Sequence, residues 1–289
     1  MRLLWNRWER ATSGDGQVVF IAGEAGIGKS RLVRQFRERL AGTPHTWNEC
    51  SGASYFQNTP TAHYIAAWLQ IYLRTPDQAE SSATQALGLA EQYGFPQIAA
   101  FARITLGRAC ASLGHSSEGV AQISRGLSEL AKTGNRNTAT QLLNWFAEAQ
   151  ALADATTEAL ATVEEALIAN PEELAWRGDA LRVRGGLRLT LGHKDAAEAD
   201  IHEAIVLAQN TNAKAWELRA ALDLAQILKA RGDVATACGL LFPLCAKFTE
   251  GYDTADFKDA MALLKELNRW SSIRSKHKLM PWKPCGPSL

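Results

Sequence analysis

The sequence has 289 residues, of which 46% are hydrophobic and 21% charged, an ordinary balance for a soluble globular protein with room for two domains. Thirty-one basic and thirty acidic side chains leave a net charge of +1, so no overall field attracts nucleic acid or an anionic membrane. We expect no signal peptide and no membrane span, because no apolar run approaches ~18 residues. Five scattered cysteines without a C-x-x-C pair indicate reduced thiols. These features predict a cytoplasmic protein.

The N-terminal part of the chain has the pattern of a strand followed by a helix. Residues 1–12 predict a short helix, and a glycine-rich turn follows. Val18–Ala22 is a short apolar run that is rich in β-branched residues and preceded by glycines, which predicts a buried strand. Residues 31–40 place their apolar side chains on one face, which predicts an amphipathic helix. A second strand is predicted at His45–Cys50.

The loop between this strand and helix, Gly23–Ser30, fits the P-loop pattern G-x-x-x-x-G-K-[ST]. At a helix N-terminus, unpaired backbone N–H groups and the helix dipole favour a phosphate, and glycines let the backbone wrap closely around it. Lys29 would reach the β- and γ-phosphates, and the Ser30 hydroxyl would ligate Mg²⁺. The predicted ATP-binding residues are Gly23, Gly26, Gly28, Lys29, Ser30 and Arg31. The alternative is a glycine-rich turn with an incidental lysine.

This region resembles a known family. Residues 16–33, His45–Trp47 and Tyr55–Thr59 are similar to the large AAA-like signalling ATPases of the STAND type. Members of that family are often linked to class III nucleotidyl cyclase domains or to LuxR-type DNA-binding domains. The resemblance implies that the P-loop holds ATP and its magnesium ion, and that the chain acts in signal transduction.

The chain departs from the family pattern directly after this region. A family member continues with the rest of a parallel sheet, including a Walker B strand that ends in acidic residues. No apolar run ending in Asp-Asp or Asp-Glu follows residue 60. Mg²⁺ would then keep only Ser30 and water, and no residue is evident to orient the attacking water. The sequence therefore predicts a truncated member that does not hydrolyse ATP by itself, and it leaves open whether the protein is an enzyme.

From about Tyr64 to Leu267 the pattern is helical and repeats. A turn-like landmark recurs at residues 75, 114, 153, 192 and 232, with separations of 39, 39, 39 and 40. A period near 40 built of two helices predicts an α-solenoid, which we term TPR-like because a tetratricopeptide repeat has about 34 residues. Small residues at the helix crossings would allow close packing, and neighbouring hairpins must stack to bury their apolar faces. The family resemblance returns at 182–192 and 248–257.

These patterns predict a mostly α protein with three parts. Residues 1–63 form a partial α/β P-loop segment, residues 64–267 a TPR-like helical repeat domain, and residues 268–289 a basic, disordered tail. Two strands and two helices cannot build the multi-stranded buried sheet that parallel strands need. The first part is also small, so its burial is marginal.

Acidic and histidine-containing clusters are better explained as structure than as metal sites. The acids at 250–259 lack EF-hand spacing, and they suit the N-cap and first turn of the last helix. His193–Glu203 contains no H-E-x-x-H, so a solvated helix face is favoured.

Two further groups also favour structural roles. The arginines at 31, 34, 37 and 39 are interrupted by Glu38, which favours a solvated face over a nucleic-acid footprint. Trp145, Trp176 and Trp216 recur at helical positions and favour core over a ligand cage.

The partners that follow are ATP and one or more proteins on the repeat surface, with no direct nucleic acid and no membrane. Two alternatives stay open. In the first, the chain is a working ATP-dependent regulator whose missing acids come from a partner. In the second, it is a helical-repeat scaffold whose P-loop no longer binds nucleotide.

Overall fold

The computed structural model describes residues 1–21, 27–45, 58–135, 138–170 and 173–277. These residues form helices and turns and contain no strand. They belong to two compact units, 1–53 and 54–289. The helices are α1 (Arg2–Thr12), α2 (Lys29–Arg39), α3 (Pro60–Tyr72), α4 (Pro76–Gln92), α5 (Pro96–Ser112), α6 (Ser116–Lys132), α7 (Ala139–Leu152), α8 (Thr156–Ala169), α9 (Leu174–Thr190), α10 (Lys194–Asn210), α11 (Lys214–Ala230), α12 (Val234–Cys245) and α13 (Ala255–His277).

The N-terminal unit contains α1 and α2. The Trp8 ring packs edge-on against Phe36, with centroids 6.5 Å apart, and against His45, with centroids 6.0 Å apart. Leu40, directly after α2, is buried. These contacts form a small apolar cluster between residues of both helices.

The predicted strand at Val18–Ala22 is wrong over its described part. Residues 18–21 have no strand structure, and Phe20 is 90% exposed. A parallel strand is stable only when neighbouring strands satisfy its backbone and cover both faces, and no such neighbour exists among the described residues. Apart from His45, which is not in a strand, the second predicted strand lies outside the described residues.

The second unit is a row of helical hairpins. Proline occupies the first turn of α3, α4 and α5, where its missing N–H costs no hydrogen bond. Packing is close because alanines line the buried faces. On α4 these alanines are Ala79, Ala83, Ala86 and Ala90. This architecture confirms the predicted mostly helical repeat.

The recurring landmark is the same turn in every hairpin. The residues at its centre all have positive φ: Gly114, Gly192 and Gly232 at the predicted positions, and Arg74 and Asp154 one residue away from the predicted 75 and 153. In each turn, the next residue's N–H donates to a carbonyl five residues back, for example His115 to Cys110 at 3.0 Å and His193 to Arg188 at 2.8 Å. This is the Schellman motif that ends a helix, and it explains why the sequence landmark recurs with the repeat period.

We expect Asp154→Gly to raise the free energy of unfolding by about 0.5–1 kcal/mol, because glycine adopts the left-handed conformation without a Cβ penalty. Asp154 is exposed and its φ is 62°, so the change removes no buried contact. Urea denaturation measures the effect. Gly114→Ala at the equivalent turn should shift stability in the opposite direction, and a destabilised Asp154→Gly variant would contradict the strain argument.

Glycines allow the closest helix crossings. A Cβ built on Gly119 in α6 would lie 2.5 Å from the Gly107 carbonyl oxygen in α5, and one built on Gly107 would lie 2.6 Å from the Gly119 oxygen. A Cβ on Gly185 in α9 would lie 2.8 Å from Ile201 Cγ1 in α10. The expected role of small residues at the crossings therefore holds at these two hairpins.

The last helix, α13, continues to His277, so the first ten residues of the predicted tail are helical. Residues 278–289 lie outside the described residues, and the predicted disorder there stays a prediction. Within the described ranges, no helix combines the length and apolarity that crossing a bilayer requires.

Candidate functional site

The described half of the P-loop is the N-terminus of α2. Gly28 is the N-cap, with φ 96°, and Leu32 N–H donates to its carbonyl at 2.9 Å. Nothing lies within 4 Å of a Cβ built on Gly28. Ser30 and Arg31 are exposed in the first turn, and Lys29 is half-buried. Gly23 and Gly26 lie outside the described residues, so the structure does not show the whole predicted ATP site.

A left-handed glycine that opens a helix is the backbone arrangement an anion-binding loop needs. The described part of the predicted site is therefore the N-cap glycine and the first turn of α2. The arginines that follow on α2 (Arg31, Arg34, Arg37 and Arg39) are all exposed, as predicted for a solvated helix face.

A second candidate site lies inside the repeat unit. It is a cleft of about 300 Å³ lined by residues of α3, α5, α7, α9, α11 and α13, together with the turn after α3. Its charged residues are Arg74, Arg108, Arg182 and Arg219 and the acids Glu148, Asp179, Asp223, Asp256 and Asp259. The first helix of each hairpin and the final helix thus share one charged surface.

Arg182 lies at the centre of this charge network. Its Nε donates to Asp179 at 2.9 Å, its Nη1 to Asp223 at 3.2 Å and its Nη2 to Glu148 at 3.4 Å. On the far side of Glu148, Arg108 Nε donates to the same carboxylate at 3.1 Å. One arginine therefore ties α9 to both α7 and α11.

The two carboxylates beside Arg182 have opposite pKa shifts. Burial raises the pKa of Asp179, and the neighbouring charge of Glu148 raises it further, against the opposing effect of Arg182. Burial alone would also raise the pKa of Glu148, but Arg108 and Arg182 outweigh it and hold that pKa below its usual value. Asp179 is thus the carboxylate whose negative charge is less fully compensated.

The two ends of the helical row meet at the edge of the cleft. Arg74, in the turn after α3, donates to Asp256 of α13 at 3.4 Å and also pairs with Asp259. Arg219 of α11 donates to Asp256 at 3.1 Å and to the Tyr72 carbonyl at 3.2 Å. The first hairpin and the last helix are therefore held together by charged groups 182 residues apart in sequence.

Aromatic rings surround Tyr72 next to the charged residues. Its ring centroid lies 5.8 Å from Trp145, 5.8 Å from Trp176 and 5.3 Å from Trp216. The Tyr72 hydroxyl accepts a 2.6 Å hydrogen bond from Gln141. Burial raises the pKa of the Tyr72 hydroxyl. The core role predicted for the tryptophans is correct for Trp145, whereas Trp176 and Trp216 remain half-buried.

Two acidic groups have roles that the sequence did not indicate. Asp200, assigned to a solvated face, is buried and accepts hydrogen bonds from Arg184 at 3.0 Å and Arg188 at 2.8 Å. Asp256 lies in the first turn of α13 as predicted, but it also pairs with Arg219. Within the described ranges, no group of three or more His, Cys, Asp or Glu side chains could hold a metal ion.

The cleft residues were missed, although the sequence contains a signal for them. Arg108 and Glu148 are 40 residues apart and Arg182 and Asp223 are 41 apart, close to the repeat period. A helix position that is polar in repeat after repeat, on a face that should be apolar, indicates a shared polar surface.

A family model described as "AAA ATPase domain" matches residues 1–226. The chain belongs to this AAA ATPase family. The match begins at α1 and extends into α11, so it includes the P-loop pattern and most of the repeat. No curated protein matches the sequence significantly.

Solved structures resemble the chain at low sequence identity. A Rap protein complexed with competence and sporulation factor has 12% identity and a TM-score of 0.52, and the match covers 76% of this chain and 65% of that one, less than two thirds of its length. The apo form of RapI has 8% identity and a TM-score of 0.50, with 93% and 97% covered. TPR-like repeats from Podosopora anserina have 16% identity and a TM-score of 0.48, with 64% and 92% covered. The two Rap structures, with TM-scores of 0.52 and 0.50, therefore share the helical fold of this AAA-family protein.

Proposed function

We propose that this AAA-family protein is a signalling regulator of the STAND type whose helical repeat binds a protein partner in the cleft. The observation that carries the proposal is the cleft itself, in which six helices contribute charged and aromatic side chains to one surface. A core that served stability alone would be apolar, because buried charges cost free energy unless they are paired. The Rap structure, a complex with competence and sporulation factor, supports a partner-binding role for this fold.

We further propose that the N-terminal unit binds ATP with Mg²⁺ and does not hydrolyse it alone. Gly28 and the first turn of α2 would receive the phosphates, Lys29 would add a positive charge, and the Ser30 hydroxyl would contact the metal ion. Among the described residues after α2, no strand ends in paired acids, so none of these residues supplies Walker B acids to orient an attacking water. Binding would therefore regulate the protein without turnover.

A fluorescent ATP-analogue titration of the whole chain with Mg²⁺ tests this part. We expect saturable binding, and we expect Lys29→Ala to weaken it by at least tenfold, because that change removes a charge-assisted contact to phosphate. Arg34→Ala is the matched control, since Arg34 is exposed further along the same helix. Equal affinity of Lys29→Ala and the unaltered chain would contradict P-loop binding.

One observation favours a second function, that of a helical-repeat scaffold with a P-loop that no longer binds. The segment before the loop is not a strand over residues 18–21, and Phe20 is exposed. A P-loop joins a strand to a helix. Without the strand, the N-terminal end of the loop is not held in position. Absence of analogue binding at the highest soluble concentration would favour the scaffold.

A further inference from the structure

We infer that the edge of the cleft is a recognition site for the guanidinium group of a partner's arginine, and that Arg74 occupies this site as an internal competitor. The inference rests on the proposed function, because it names the chemistry of the partner that the cleft would bind. Four features of the described residues carry it: the position of Arg74, the surplus of negative charge, the aromatic ring of Tyr72 and the size of the cleft.

The acid pair already holds a guanidinium. Asp256 and Asp259 lie near the start of α13, and Arg74 Nη1 donates to both. The Arg74 side chain reaches them from a tight turn at the opposite end of the row and stays 50% exposed. The pair of Arg74 with Asp259 is about half-exposed on both sides, so it contributes little net stability and an arginine from another chain can compete with Arg74 for Asp259.

The cleft has one more negative than positive side chain. Five carboxylates face four guanidinium groups. Arg182 donates hydrogen bonds from Nε, Nη1 and Nη2 to three different carboxylates. Because negative side chains outnumber positive ones by one, the cleft favours a ligand that carries positive charge.

The shape of the cleft favours a planar cation on an extended chain. The half-buried Tyr72 lines it together with the charged residues, and the Arg219 guanidinium already lies 5.2 Å from the Trp216 ring centroid. A guanidinium stacks on aromatic rings and pairs with carboxylates at its edge, which an ammonium does less well. A volume of about 300 Å³ admits one or two side chains of a peptide and excludes a folded domain.

The test is a titration of the whole chain with acetyl-arginine amide. The NMR signals of the tryptophan indole N–H groups report the binding. Acetyl-citrulline amide, which has the same shape without the charge, is the matched ligand control. We expect saturable binding of the arginine compound only, weakened by added salt. Asp259→Asn should lower the affinity about tenfold, because it removes one half-exposed carboxylate of the acid pair.

Arg74→Gly gives the decisive result. Glycine suits the left-handed turn at this position, where φ is 59°, so the variant keeps its fold while it loses the competitor. We expect it to bind acetyl-arginine amide about tenfold more tightly than the unaltered chain, since the competing group is gone. Asp154→Gly, at the equivalent turn of another hairpin, should bind like the unaltered chain.

Three outcomes would overturn the inference. Equal binding of the citrulline compound would show that charge is not recognised, and unchanged or weaker binding by Arg74→Gly would show that Arg74 is not a competitor. Absence of any binding by Arg74→Gly would also reject a guanidinium site. The ATP-analogue titration tests the N-terminal unit separately. A negative result with acetyl-arginine amide would therefore leave the proposal of nucleotide binding unaffected.

Discussion

Gly185→Ala is expected to lower the free energy of unfolding by about 2 kcal/mol, the usual cost of overpacking a close helix contact. The new Cβ would lie 2.8 Å from Ile201 Cγ1 and 3.0 Å from the Ala197 carbonyl oxygen, so α10 must move away from α9. The backbone oxygen cannot rotate aside as a flexible side-chain end can. Urea denaturation with a circular-dichroism readout measures the change.

The neighbouring residue provides the control. Gly186 also lies in α9, but it is exposed, and a Cβ there would meet nothing within 4 Å. Gly186→Ala should therefore raise stability by about 0.5–1 kcal/mol through the loss of unfolded-state entropy. If the two variants shift stability in the same direction, the crossing distance does not control the α9–α10 contact.

Arg182→Met is expected to destabilise the repeat by about 3–5 kcal/mol, because removal of one partner leaves buried carboxylates uncompensated. The side chain is 17% exposed and contacts Asp179, Asp223 and Glu148 on three helices. Methionine keeps much of the apolar stem, so the loss reflects charge rather than volume. Arg125→Met is the control: Arg125 is 65% exposed, and its pair with Glu129 should contribute about 0.5 kcal/mol or less.

The loss of unfolding free energy in Arg182→Met should depend on pH. Without the arginine, burial and the neighbouring charge of Glu148 raise the folded-state pKa of Asp179 further above its unfolded value. A carboxyl group with a raised folded pKa keeps its full stability below the unfolded pKa of about 4 and loses it as the pH rises through the folded pKa. The difference in unfolding free energy between Arg182→Met and the unaltered chain should therefore be small near pH 4 and largest at neutral pH. A difference that does not change with pH would contradict the electrostatic explanation.

Helical periodicity predicted the repeat because the signal is local. A Schellman turn needs a residue that tolerates positive φ, and this requirement recurs at Gly114, Gly192 and Gly232. The family was likewise accessible from local motifs, since the P-loop pattern and its flanks are contiguous. The strand at Val18–Ala22 failed for the opposite reason, since its stability depends on neighbouring strands that the described residues do not contain.

The sequence by itself determined the helix-and-turn repeat and the glycine that opens α2, because each depends on contacts within a few residues. Only the tertiary structure placed Arg182 among three carboxylates and brought Arg74 to Asp256, since such pairs depend on how the hairpins stack. It also decided that Asp200 is buried rather than solvated. The physical reason is that helix propensity and turn geometry are properties of short segments, whereas the partners of a charged side chain are set by residues far away in the chain.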